Sequence, residues 1–142
     1  MAITVKLNRV NGDYGFDSIN ENGTIVKMDT NPEMGGQEYG ARPSHLLLNA
    51  LAGCSSIDVI SILKKQRQEI TDYNVTVTGE REAGVEPSLW KHIEMTFEIS
   101  GNVDEDKAKR AVEISMNKYC SVAITLVRAG ATINTNVVVK RS

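Results

Sequence analysis

One stretch, Pro43 to Arg67 (PSHLLLNALAGCSSIDVISILKKQR), limits what this chain can fold into. Leu46, Leu47, Leu48, Ala50, Leu51, Ala52, Ile57, Val59, Ile60, Ile62 and Leu63 point to every side of a helix, and a helix that is apolar all round has to be buried. Pro43 suits a first helical turn, where its missing N–H would be unpaired in any case. Lys64, Lys65 and Arg67 suit the last turn, where unpaired carbonyls favour cations. A rod of about 25 residues is roughly 37 Å long at ~1.5 Å per residue. That length predicts the spine of a small domain, wrapped by the remaining chain with help from a second copy. A membrane span is the rival reading, since about 20 mainly apolar residues suffice. Asn49, Cys54, Ser55, Ser56 and Asp58 interrupt the run near its middle and argue against it.

The rest of the chain supplies the wrapping. At 142 residues it fits a single domain with a sizeable core. The formal charge of −2 comes from acids and bases mixed along the chain, with no basic stripe to suit a nucleic acid. The start, MAITVKLNRV, alternates like a strand and lacks the apolar core of a signal peptide, so a cytoplasmic location is expected. Ile3, Val5 and Leu7 alternate with polar residues as in a half-buried strand. Asn22-Gly23 marks a tight hairpin before the strand Thr24–Met28. Residues 29–42 form a turn-rich loop, either functional or a plain connector.

After the helix, Tyr73–Thr78 and Trp90–Ser100 read as a hairpin, with Ile93, Met95, Phe97 and Ile99 on one face. Asp104 can cap the next helix. Ala108, Ala111, Val112, Ser115 and Tyr119 fall on one stripe of it. A break at Tyr119-Cys120-Ser121 lets Ser121 cap a second helix through Arg128, which Gly130 stops. Ile133–Val139 is the last strand. The result is an α+β domain: strands in 1–29, the central helix in 43–67 and a β-β-α-α-β segment in 71–140.

Two cysteines, Cys54 and Cys120, are too few for a secreted disulfide framework. In a reducing compartment they are either buried and structural or redox-active. Cys120 lies at or just before a helix start, where N–H dipoles favour a thiolate. Asp58, one turn beyond Cys54, opposes a charge there. His45 lies nine residues before Cys54, on the opposite face of a straight helix and roughly 13 Å away along the axis. It cannot deprotonate Cys54 of the same chain in that geometry. His92 reads as an exposed strand residue. No His/Cys pair has zinc-site spacing, and no phosphate-binding glycine pattern is present.

ARPSHLLLNALAGCSSIDVISILKKQR together with KYCSVAITL resembles the OsmC/organic hydroperoxide resistance family, and EMGGQEYGARP is similar to that family's segment before its central helix. The order of elements agrees along essentially the whole chain. The resemblance implies antiparallel sheets wrapped around a long buried helix in an intertwined homodimer, with sites at the subunit interface. It implies a cofactor-free, metal-free thiol peroxidase. Cys54 matches the cysteine that attacks an organic hydroperoxide, and Cys120 the one that resolves the product as a disulfide, which an external dithiol resets. Ser44 stands where the family's efficient peroxidases carry a Glu, with His45 beside it. Arg9 is the one arginine in the N-terminal strands that could support the thiolate, and Arg42 is the alternative cation. The missing Glu motivates a second expectation: a non-enzymatic relative that binds an apolar small molecule, its cysteines structural or redox-sensing.

Overall fold

The computed structural model describes residues 1–141. It divides into two compact units, Met1–Leu47 and Leu48–Ser142, each described here by itself.

The N-terminal unit is an antiparallel meander of β1 (Lys6–Asn11), β2 (Gly15–Ile19) and β3 (Ile25–Met28). Arg9 faces Phe16 across the first pair, and Ile19 faces Ile25 across the second. The hairpin at Asn22-Gly23 forms, with Gly23 at φ +86° and the Asn22 side chain accepting from the Thr24 N–H. Ile3, Val5 and Leu7 are exposed rather than half-buried, and only Lys6 onward is strand.

The loop after β3 is organised by Asp29, which is 2% exposed. One carboxylate oxygen accepts from the Gln37 and Tyr39 N–H groups at 2.9 and 3.1 Å, and the other from Thr30 at 2.7 Å. The Gln37 N–H does most to hold this carboxyl below its ordinary range, against the opposing effect of burial; Tyr39, Thr30 and the Arg42 charge add to it. Gly40 is needed here, because a Cβ would lie 2.2 Å from the Lys27 backbone carbon.

The C-terminal unit is built on α1 (Leu46–Lys65), which starts just before the unit boundary, and on a sheet ordered β4 (Glu69–Arg81), β5 (Trp90–Asn102), β6 (Thr132–Arg141). As the alternation predicts, Ile93, Met95, Phe97 and Ile99 of β5 are at most 1% exposed. β4 and β5 are antiparallel, but β6 runs parallel to β5, so this sheet is mixed rather than antiparallel. A parallel pair needs a long crossover, and α2 (Glu105–Ile114), a π turn (Ser115–Tyr119) and α3 (Ser121–Arg128) supply it. Asp104 caps α2, its side chain accepting from the Lys107 N–H. Gly130, at φ +109°, closes α3, donating to Val127 while Ala131 donates to Leu126.

The central helix departs from all-round burial. Leu51, Ser55, Val59 and Leu63, at i+4 spacing, are buried, and Leu48, Cys54 and Ile62 pack beside them on the β5 core. Leu47, Ile57 and Ile60 are 47, 69 and 38% exposed on the chain alone. A single sheet can cover only one face of a helix, which is why the remaining apolar residues stay open. Pro43–Lys65 is long and apolar enough to cross a membrane by length and composition, a test that core helices also pass. Its buried stripe belongs to the core cluster of the C-terminal sheet.

Candidate functional site

The fold brings Cys54 and Cys120 together. Both are free thiols, Cys54 half-buried and Cys120 fully buried. Cys54 is carried by α1 on the flank of the buried stripe. Cys120 follows the π turn, where the chain leaves helical geometry (φ −77°, ψ 100°) and re-enters it one residue later as α3.

Cys120, not Ser121, is the N-cap of α3, and its sulfur accepts the Ala123 N–H at 3.4 Å. The extra residue in the π turn moves the break by one position, so the thiol takes the place usually held by a serine or aspartate oxygen. Ser121 is thereby released, and its hydroxyl bonds to Cys54 instead. The same extra residue rotates Tyr119 off the α2 stripe: Ala108, Ala111, Val112 and Ser115 are buried, but Tyr119 is 56% exposed.

The first free N–H groups of α3 serve both sulfurs. Burial pushes the Cys54 thiol up. The Val122 N–H, the Cys120 thiol and the Ser121 hydroxyl together outweigh that effect, so its pKa lies below the ordinary value although the Asp58 charge opposes them. Cys120 goes the other way. Burial first, then its hydrogen bond to Cys54 and the repulsion of a charge there, push it up to about 11, with the Ala123 and Val122 N–H groups only partly offsetting this. Cys54 therefore ionises first, and Cys120 keeps its proton and donates it toward the Cys54 sulfur. The accessible sulfur is the nucleophile and the buried one is held in reserve beside it.

Two polar contacts brace this arrangement. Ser115 Oγ donates to Asp58 Oδ2 at 2.9 Å and lies 3.3 Å from the Ser55 carbonyl. Tyr73 on β4 donates its hydroxyl to Ser56 at 3.0 Å, and burial pushes its phenol up to about 12.

Arg9, Arg42, Ser44 and His45 belong to the N-terminal unit. Arg9 is exposed on β1, and Arg42 forms an ion pair with Glu38 at 3.3 Å. Ser44 and His45 lie in the short Pro43–His45 turn that leads into α1. Asp58 opposes the Cys54 charge as its spacing predicts, while Ser121, Val122 and Ser115 enter the site without having been singled out as its members. Val122 and Ala123 act through backbone N–H groups, which no side-chain motif reveals. The available signal was positional: a cysteine at a helix N-cap places the next N–H groups around sulfur. Among the described residues, no group of three or more His, Cys, Asp or Glu side chains could hold a metal ion.

The profile of the family described as OsmC-like protein matches residues 35–136. Protein YhfA of Escherichia coli K12 is 46% identical over 88 residues, which are 61% of this chain. The match spans 65% of that curated relative's length. A hypothetical protein from Aquifex aeolicus superposes with a TM-score of 0.85 at 30% identity, over 100% of this chain and 98% of its own. An organic hydroperoxide resistance protein OsmC from Legionella pneumophila shares the fold, with a TM-score of 0.66 at 17% identity over 99% of this chain and 97% of its own. The profile covers both cysteines, the central helix and the crossover that joins them, and the chain belongs to the OsmC-like family.

Proposed function

We propose that this protein is a thiol peroxidase that reduces organic hydroperoxides through a Cys54/Cys120 pair. The observation that carries the reading is the split between the two sulfurs: one half-buried thiol with lowered proton affinity touches one buried thiol with raised affinity. The Cys54 thiolate attacks the distal oxygen of ROOH. The O–O bond breaks, sulfur becomes sulfenic acid, and RO⁻ takes a proton to leave as ROH. The Cys120 thiol then condenses with the sulfenic acid, forming the S–S bond and releasing water. An external dithiol returns two electrons and two protons by thiol–disulfide exchange. The Legionella pneumophila protein is named for organic hydroperoxide resistance, which agrees with this chemistry. A reducing cytoplasm would provide the dithiol.

The working unit in this reading is a homodimer. Ile57 and Ile60 are exposed on the outer side of α1 and supply an apolar face for a second copy. The alternative, an apolar ligand in place of a peroxide, has less support. Two clefts of the C-terminal unit, of about 280 Å³ at Asp58, Ser61, Ile62, Lys65 and Tyr119 and of about 350 Å³ beside Lys109, Glu113 and Asn136, are edged by charged groups.

The test is steady-state reduction of cumene hydroperoxide with a dithiol. The reading expects turnover that vanishes in Cys54→Ser. Equal consumption of peroxide by wild type and Cys54→Ser refutes it.

A further inference from the structure

The site has one polar contact that the chemistry above leaves without a task. Ser115 is fully buried and is the first residue of the π turn. Its hydroxyl has a single proton, with Asp58 Oδ2 at 2.9 Å and the Ser55 carbonyl at 3.3 Å. The nearer and charged acceptor takes it. The carbonyl of the same Ser115 accepts the Cys120 N–H at 2.7 Å. One residue is therefore bonded through its side chain to the helix that bears Cys54 and through its backbone to Cys120. The Cys120 bond spans five residues, as a π turn requires. An ordinary α turn would take the carbonyl one residue later and rotate Cys120 by about 100°. π turns are rare, occur mostly as single turns within helices and are frequent at functional sites.

We propose that the Asp58–Ser115 hydrogen bond is a tie that keeps the π turn open and holds the Cys120 sulfur against Cys54, making both residues positioning residues for disulfide formation. The use of that tie, trapping the sulfenic acid before a second peroxide reaches it, rests on the peroxidase reading; the geometry does not.

The tie can be measured without peroxide. Wild type, Ser115→Ala, Asp58→Ala, Asp58→Asn and the double alanine variant are equilibrated with reduced and oxidised glutathione. The Cys54–Cys120 disulfide is then counted by mass after acid quench and alkylation. The exchange is balanced: two protein thiols and one glutathione disulfide give one protein disulfide and two glutathione thiols. Ser115→Ala should lower the equilibrium constant about tenfold against wild type, the scale of one hydrogen bond to a charged group, and Asp58→Ala about tenfold against Asp58→Asn, which shares its loss of the charge that opposes the Cys54 thiolate. The double variant should fall no further than Asp58→Ala, because the Ser115 substitution then removes a bond already lost. Asp58→Asn keeps an oxygen acceptor without the charge and should therefore lie well above Asp58→Ala. It also carries the test should Ser115→Ala fail to fold.

A merely stabilising role predicts lower melting temperatures with an unchanged disulfide constant in the folded protein, and that result overturns the proposal. A loss in Asp58→Asn as large as in Asp58→Ala also overturns it. A wild type that forms the disulfide in glutathione, shows these variant effects and yet does not turn over hydroperoxide supports the tie and sinks only the peroxidase reading.

Discussion

The Val122 N–H is the group whose removal tests the site most directly. It is the second amide of α3, bonds Cys54 and also acts on Cys120. Val122→Pro deletes that donor alone. Proline is tolerated in a first helical turn, although it presses the preceding residue, Ser121, away from helical angles. Val122→Ala controls for the lost side chain.

A hydrogen bond to a charged group contributes about 1.5–3 kcal/mol. At about 1.4 kcal/mol per tenfold, its loss leaves roughly ten to a hundred times less thiolate at any pH below the thiol's own ionisation. The sign follows from the donor: it bonds the charged form better than the neutral one, so removing it raises the Cys54 pKa. The assay is the rate of iodoacetamide alkylation against pH. It reads Cys54 because Cys120 is fully buried. The profile of Val122→Pro should move to higher pH and that of Val122→Ala should stay. An unmoved profile in folded Val122→Pro, with helix content retained by circular dichroism, would refute the claim that α3 activates Cys54.

Other consequences can be checked in parallel. Cys120→Ser should complete one turnover and then climb to Cys54 sulfinic acid, visible by mass, since no neighbouring thiol traps the sulfenic acid; a wild-type-like disulfide yield between other partners would contradict this. Stability should fall on the alkaline side: Cys120 and Tyr73 ionise near 9 and 10 when unfolded but near 11 and 12 when folded, so the folded state binds more protons and loses stability between about pH 9 and 12. Urea midpoints should show this fall, and Tyr73→Phe should flatten it. Arg9→Ala and Arg42→Ala each test a supporting cation; whichever matters should shift the alkylation profile upward, and no shift in either leaves α3 as the activating element. Light scattering should find a dimer of the 15.6 kDa chain, and a stable monomer at micromolar concentration would remove the case for a second copy.

What the sequence made legible was periodicity. The alternation of Ile93, Met95, Phe97 and Ile99 identifies both the β5 strand and its inward face, because a period of two has no other reading over that length. Asp104 and Gly130 mark helix ends for local reasons, a carboxylate beside free N–H groups and a left-handed backbone, and both act where expected. Periodicity does not encode strand direction, so nothing in Ile133–Val139 announces a parallel partner. It also does not tell how much of an apolar helix one chain can cover, so Ile57 and Ile60 looked like core. Phase was lost at Ser115–Tyr119, because a stripe drawn at 3.6 residues per turn cannot anticipate one inserted residue. That insertion is also why the cap belongs to Cys120 and the hydroxyl of Ser121 to Cys54. In the candidate site, the motifs supplied the sulfur atoms, while their electrostatics came from backbone amides that carry no letter of their own.

The same helix end serves both cysteines, yet their proton affinities diverge, and the reason bears on how the pair would cycle. Cys54 is half-buried and receives three donors; Cys120 is fully buried, and the Ala123 and Val122 N–H groups only partly offset that burial. Once Cys54 is charged, its field adds to the burial that already opposes ionisation of Cys120. The site thus holds one negative charge and one proton between two sulfurs. Forming the disulfide removes both. The Val122 N–H and the Ser121 hydroxyl then face a neutral sulfur, a much weaker acceptor than the thiolate they were bonded to. Interactions that favour the thiolate therefore stabilise the reduced form over the oxidised one, and a disulfide whose reduced form is stabilised is a stronger oxidant, more easily reopened by an external dithiol. In the peroxidase reading, the donors that favour the thiolate also ease the reset, so weakening them should slow both halves of the cycle.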